Sequence, residues 1–417
     1  MKRFALAFAA LTAAPLAWSL PSAVQLEAEE RVLLGGEDAF LTLRHLRLEG
    51  TQREIGRRLF EIARERHGYA PRPVVASDVE AVQARRAYFA EHAPAFVERM
   101  RGVADGLGLE LETADHHIAS LSYGTVRASC TVAYYPPDWT AWGTGLVSRN
   151  YDFSTGDFRG RAPAPGEVPV TSAPYLLETH PEDGFATIAM CAYDLLGGVI
   201  DGMNSEGLVI ALLADDEVLQ TFGPSPASGP QAGFGVLQIG RHILETCRDV
   251  DEAKAAFERA SLFYTSIPCH YLVADRHGRS FVWENDRSME GGYAFDGGGE
   301  PQVTTNFMRY LHEGESEDEL PKDGEFGSFS RFRRIHDRLR ALDGPVTEAF
   351  VKETAACVAP TLGRPGGSAA PGRTLWHTLY YPEERRVEID VYLGESHAGG
   401  RQSIERSGWV SVTLGDE

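Results

Sequence analysis

Cys130, Arg149 and Asp152 lie at the two ends of one stretch, CTVAYYPPDWTAWGTGLVSRNYDF, running from Cys130 to Phe153. These three side-chain types can together activate a sulfur nucleophile. A free thiol has a pKa of about 8.5, so only a few per cent of it is thiolate at neutral pH, and a neighbouring cation raises that fraction. Arg149 would be the cation. If the backbone were cut before Cys130, its own α-amine, with a pKa of roughly 7.7 to 8.0, would become a base tethered to the thiol, and Asp152 could orient it. Each residue alone has a plainer reading. Free cysteines usually pack as small hydrophobes, which is the reading given to Cys191, Cys247, Cys269 and Cys357. Polar residues that end a strand usually just meet solvent.

A hairpin would bring the three together. TVAYY and TGLVS are rich in Val, Thr and Tyr with alternating apolar positions, and PPDW and WG between them carry turn chemistry. The return strand then ends beside the start of the first. Upstream, AFLTLRHLRLEG alternates as a strand, Thr51 to Glu54 is a capping box opening a helix through Ile55, Leu59, Phe60 and Ile62, and Gly68 stops it. A second helical region spans Val79 to Leu107. His116 and His117 are adjacent, so on a helix they point about 100° apart and could not chelate one ion together; structural histidines are the reading. Downstream, YLLETHPEDGFATIAMCAY reads as two strands about a turn, and the turn at Asn204 to Gly207 feeds the strand LVIALL. Residues 231 to 260 give two helices, and HYLVADRHGRSFVWE a strand, turn and strand. Gln302 to Asn306 ends the next strand with an asparagine. The stretch from Leu311 to Gly327 holds seven acidic residues and three glycines, the profile of a surface loop. Ser330-Arg331-Phe332 opens a helix, and a last strand pair follows Thr374.

Cys-Thr opening a strand, then a turn, a second strand and Arg-Asn-Tyr-Asp, resembles the N-terminal nucleophile (Ntn) hydrolases of the choloylglycine hydrolase and penicillin acyltransferase group, a peptidase C45-like set acting on linear amides. Further matches follow in that group's order: the Gly-Met-Asn turn at 202 to 207, the Thr-Asn at Asn306 and the Ser-Arg-Phe at Arg331. The resemblance covers about residues 115 to 393. It implies an α+β fold, a four-layer αββα sandwich of mainly antiparallel sheets. It further implies that Cys130 is the nucleophile, that Arg149 and Asp152 hold amine and thiol in register, and that Asn306 and Arg331 orient substrate and steady the intermediate. One departure concerns the oxyanion hole. Where bile-salt-hydrolase-like members carry an asparagine just past the LVIALL strand, this chain has Ala214.

From the resemblance we expect an autoproteolytically matured amidohydrolase that cuts a linear C–N bond, in an N-acyl amide, a bile-acid conjugate or a β-lactam side chain. An acyltransferase passing the acyl group to an amine shares every step up to the acyl-enzyme. A catalytically silent binding module on the same scaffold is the reading from another class. No cofactor and no metal are expected.

Composition fits this. The 417 residues are 43% hydrophobic and 24% charged, an ordinary globular balance. A net charge of −20 repels phosphate backbones and anionic membranes, so nucleic acid is excluded as a partner and a small-molecule amide is expected. The oligomeric state is open. Five cysteines without a CxxC pair give neither a disulfide framework nor a zinc site. No GxSxG elbow or HExxH pattern supports a serine or metallohydrolase. Lys2 and Arg3 precede an apolar run from Phe4 to Trp18, followed by a small-residue cleavage site, so residues 1–24 read as an export signal, too short for a stable membrane span. Residues 25–129 read as a helical prosegment and 130–417 as the catalytic domain.

Overall fold

The computed structural model describes residues 28–113, 115–122, 129–156, 169–215, 217, 232–263, 268–286, 291–360, 372–398 and 401–416. Residues 1–24, read from the sequence as an export signal, lie outside them. The first part of the chain forms β1 (Ala28–Leu34), β2 (Leu43–Gly50), α1 (Gln52–His67), α2 (Val79–His92) and α3 (Pro94–Leu107). Next come β3 (Ser129–Tyr135), β4 (Leu146–Ser154), β5 (Tyr175–Pro181), β6 (Thr187–Cys191), β7 (Asp201–Asn204) and β8 (Val209–Ala214). They are followed by β9 (Phe234–Gly235), α4 (Gln238–Thr246), α5 (Val250–Arg259), β10 (Leu262–Phe263), β11 (Cys269–Ala274), β12 (Ser280–Asn285), β13 (Gly292–Asp296) and β14 (Gln302–Thr304). The last part adds α6 (Ser328–Arg340), α7 (Glu348–Cys357), β15 (Gly372–Tyr381), β16 (Arg386–Ala398), β17 (Arg401–Arg406) and β18 (Val410–Thr413).

Two large sheets carry the molecule. One runs β1-β2-β5-β6-β7-β8-β11-β12-β13, and the other β14-β3-β4-β15-β16-β17 with β18 also on β16. Pairing in both is antiparallel, except that β2 lies parallel to β5, from Arg44 opposite Tyr175 to Gly50 opposite Pro181. Three cores separate the layers. Between the sheets lie Cys130, Val132, Tyr151, Met190, Ala211 and Trp376 among others. The outer face of the first sheet packs α1, α3, α4 and α5 through Leu59, Phe60, Met100, Ile243 and Phe257. The outer face of the second packs α6 and α7 through Phe332, Ile335 and Val351. The result is the α+β, four-layer αββα sandwich of mainly antiparallel sheets that the resemblance implied.

Helix α1 starts and stops as its sequence predicts: Thr51 and Glu54 form the reciprocal capping box, and Gly68 ends it at φ 60°. The region at 79–107 is two helices, because Pro94 cannot continue the hydrogen-bond ladder and Ala93 before it is driven out of the helical basin, to φ −147° and ψ 61°. Helices α1 and α3 cross closely. A Cβ on Gly56 would fall 2.1 Å from the Arg99 carbonyl oxygen, and one on Gly102 would fall 1.9 Å from that of Arg53. Buried Arg99 then ties both to α4: its Nε donates to Gln52 Oε1 at 2.6 Å and its Nη1 lies 2.7 Å from Glu245 Oε1. The segment before Cys130 thus contributes two strands as well as helices.

Candidate active site

Cys130 is the second residue of β3, and its register with β4 sets the site. Ser129 pairs with Asp152, Cys130 with Tyr151 and Val132 with Arg149. Side chains alternate along a strand, so Cys130, Arg149 and Tyr151 face the first sheet, while Asn150 and Asp152 face the helix layer. The Cys130 thiol has no solvent exposure. Arg149 Nη2 donates to Cys130 Sγ at 3.3 Å and to the Leu212 carbonyl of β8 at 2.8 Å, and its Nη1 donates to the Asn150 carbonyl at 2.8 Å. Its Nε stands 3.1 Å from Asp201 Oδ1. Asp201, at the start of β7, is held in turn by Thr378 Oγ1 at 2.8 Å, the Tyr380 hydroxyl at 3.0 Å and Trp376 Nε1 at 3.4 Å.

Electrostatics here depart from what the sequence alone predicts. Burial pushes the Cys130 thiol up, and the opposing pull of Arg149 does not offset it. Arg149 stays charged: burial works against it, but the sulfur and the Asp201 carboxylate hold its pKa above the ordinary value. In the uncut chain, therefore, the cation is present yet the thiol keeps its proton and needs a base.

Asn306 and Arg331 hold the backbone of Cys130. Asn306 Oδ1 accepts the Cys130 N–H at 2.7 Å, and Asn306 Nδ2 donates to the Ala214 carbonyl at 2.7 Å. Arg331 Nη1 donates to the Cys130 carbonyl and the Thr131 hydroxyl, and its Nη2 donates to Asn306 Oδ1 at 2.7 Å. Asp152 accepts from the Thr374 hydroxyl and has an oxygen 3.8 Å from Arg331 Nη1. The other four residues singled out in the sequence, Arg149, Asp152, Asn306 and Arg331, gather around Cys130. In the intact chain Asn306 holds the Cys130 nitrogen and Asp152 stands beside Arg331.

Sequence reasoning missed Asp201. A charged residue among the apolar positions of Gly-Val-Ile-Asp-Gly-Met was a usable signal, because a buried carboxylate requires a partner. It also missed the charged wall behind Asn306. There His270 lies 3.3 Å from Asp215 and 3.2 Å from the Thr304 hydroxyl, and buried Glu284 accepts the N–H groups of Arg309 and Tyr310 at 2.8 and 3.0 Å. His117 pairs with Asp78 at 3.0 Å and His116 with Asp115 at 2.7 Å, the structural role expected. Among the described residues no group of three or more His, Cys, Asp or Glu side chains could hold a metal ion, and no helix is long and apolar enough to cross a membrane.

The model of the family described as acyl-coenzyme A:6-aminopenicillanic acid acyl-transferase matches residues 143–395. Among curated proteins no sequence matches the chain. Solved structures similar to it include a variant of the conjugated bile acid hydrolase of Clostridium perfringens, 16% identical over 67% of this chain and 91% of that one, at a TM-score of 0.44. Another is the penicillin V acylase of Agrobacterium tumefaciens, 15% identical over 63% and 82% of the two chains, at a TM-score of 0.41.

Proposed function

The chain belongs to the acyl-coenzyme A:6-aminopenicillanic acid acyl-transferase family, and from that premise we propose that it is a self-maturing cysteine Ntn enzyme that cleaves a linear amide through a thioester. The observation that carries this reading is the setting of Cys130: a guanidinium on its sulfur at 3.3 Å and an amide oxygen on its nitrogen at 2.7 Å. In maturation, Sγ attacks the Ser129 carbonyl, the acyl group moves from nitrogen to sulfur, and water cleaves the thioester. The freed α-amine stays on Asn306 Oδ1. In turnover that amine takes the thiol proton as the C–S bond forms, then gives it to the leaving amine as the C–N bond breaks. Arg149 steadies the sulfur's charge, and Arg331, braced by Asp152, holds Cys130 in place.

Transfer of the acyl group to an amine in place of water is a second reading, favoured by the family's description. A silent binding module fits less well, because Cys130, Arg149, Asp152, Asn306 and Arg331 are all assembled. Residues before Cys130 stay bound after the cut in this proposal, supported by the β2–β5 pairing and the Arg99–Glu245 pair. Export of the chain remains a proposal resting on residues 1–24. The test uses purified wild type and Cys130→Ala with a panel of N-acyl amino acids, conjugated bile acids and penicillins, with and without an added amine. Wild type should run as two associated fragments, the larger beginning at Cys130, and release amine, whereas Cys130→Ala should stay whole and inert. An active, uncut wild type would end the N-terminal nucleophile reading.

A further inference from the structure

Attack of the Cys130 sulfur on an amide moves an electron pair onto the carbonyl oxygen, and that charge needs a hydrogen-bond donor in place before it forms. The donors of Asn306 and the Nη groups of Arg149 are already engaged in the uncut chain. Asn306 Nδ2 donates to the Ala214 carbonyl, Arg149 donates to sulfur and two carbonyls, and Ala214 carries no side-chain donor at all. Tyr193 is different. It is only 6% exposed, and its hydroxyl has no hydrogen-bond partner. Leaving a buried hydroxyl unpaired is costly, so such a group calls for a reason.

Topology brings Tyr193 to the end of the first sheet that meets the nucleophile. Strands β6 and β8 are both antiparallel to β7, so they run parallel and end at the same edge of the first sheet. Met190 of β6 and Ala211 of β8 both pair with Asp201; Tyr193 comes three residues after the one, and Ala214 three residues after the other. That edge is where Cys130 sits, since Asn306 bridges Ala214 to the Cys130 nitrogen. Tyr193 and Cys130 belong to the same core between the sheets. The phenol feels the charges of Cys130 and Arg149; with burial as the main cause, its pKa lies well above the ordinary value, so it remains an O–H donor at any working pH.

We propose that the Tyr193 hydroxyl is an oxyanion donor for the carbonyl attacked by Cys130, a role that rests on the amide-cleaving function proposed above. As the C–S bond forms, the carbonyl π pair moves to oxygen and accepts the Tyr193 O–H. When the C=O bond reforms, the C–N bond breaks and the amine leaves with the proton from the Cys130 α-amine. Tyr151 also has a buried hydroxyl without a partner, but it stands on the strand beside the thiol, with its ring stacked on Trp376 at a centroid distance of 3.9 Å.

The test compares wild type, Tyr193→Phe and Tyr151→Phe, with turnover counted per chain that begins at Cys130. Tyr193→Phe should lower kcat about a hundredfold to a thousandfold, with KM within about twofold, because the donor serves a charge absent from the ground state. Its thermal unfolding should match wild type, as no bond in the folded protein is lost. Alkylation of Cys130 by iodoacetamide, a displacement that forms no oxyanion, should proceed at the wild-type rate. Tyr151→Phe should keep wild-type turnover. Full turnover in Tyr193→Phe, a lower unfolding temperature that accounts for its loss, or loss in Tyr151→Phe instead would each overturn the role while leaving the amide-cleaving function intact. Wild type that turns over no amide would overturn both.

Discussion

Arg149 faces a thiol and a carboxylate with one guanidinium, so its removal should do two things. Turnover should fall at least about a hundredfold, the scale of acid–base contributions. Stability should also fall, by about 3–5 kcal/mol, because Arg149→Ala leaves Asp201 buried without its ion partner. Urea denaturation of the variant, set beside its kinetics, measures both; a variant as stable as wild type would mean that the hydroxyl and indole donors alone satisfy Asp201. From the sequence Arg149 reads only as a catalytic cation. The difference shows where legibility stops: Cys130, Arg149, Asp152, Asn306 and Arg331 could be read because their types recur in a known order. Asp201 was marked in the sequence only as a carboxylate needing some partner, and Tyr193 not at all, since neither type shows what it faces across a gap between sheets.

Elements were legible where one face is buried and one is not. The hairpin of β3 and β4 alternates, and α1 carries both its cap and its stop, so each was readable within a few residues. Strand β1 was not, because it is an edge strand with Glu29, Glu30 and Arg31 in its middle and only Leu34 buried, a pattern that protects an edge but hides a strand. The two glycines where α1 meets α3 were equally silent, although they fix how near the helices lie. Gly102→Ala should destabilise the protein by about 1–3 kcal/mol, as overpacking against a backbone carbonyl that cannot rotate away. A thermal melt of the variant checks this, and an unchanged midpoint would show that the helices can part without cost.

At the scale of the whole molecule, one buried carboxylate should set a slope of stability with pH. Burial pushes Glu284 up to about 7, with the pull of His270 and two backbone N–H groups opposing it. Its unfolded value is about 4.3, so the unfolded chain gives up this proton first. Stability from this group is therefore present below about pH 4.3 and is lost as pH rises towards 7, by roughly 3 kcal/mol in all. Urea midpoints from pH 5 to 8 should fall in wild type and stay flatter in Glu284→Gln; parallel curves would contradict it. The αββα order came from the family resemblance; the run of strands, then helices, then strands without βαβ alternation pointed only to mainly antiparallel sheets with helices outside. Which strand of the first segment would join which later one was not, because parallel pairing of β2 with β5 joins residues more than a hundred positions apart. That pairing also has a consequence for how the protein is born. At roughly 5–20 residues per second, β2 leaves the ribosome on the order of ten seconds before the strand it must flank. The early segment is thus synthesised well before β5 emerges, so that the cut proposed before Cys130 would remove a tether whose work in assembly is over.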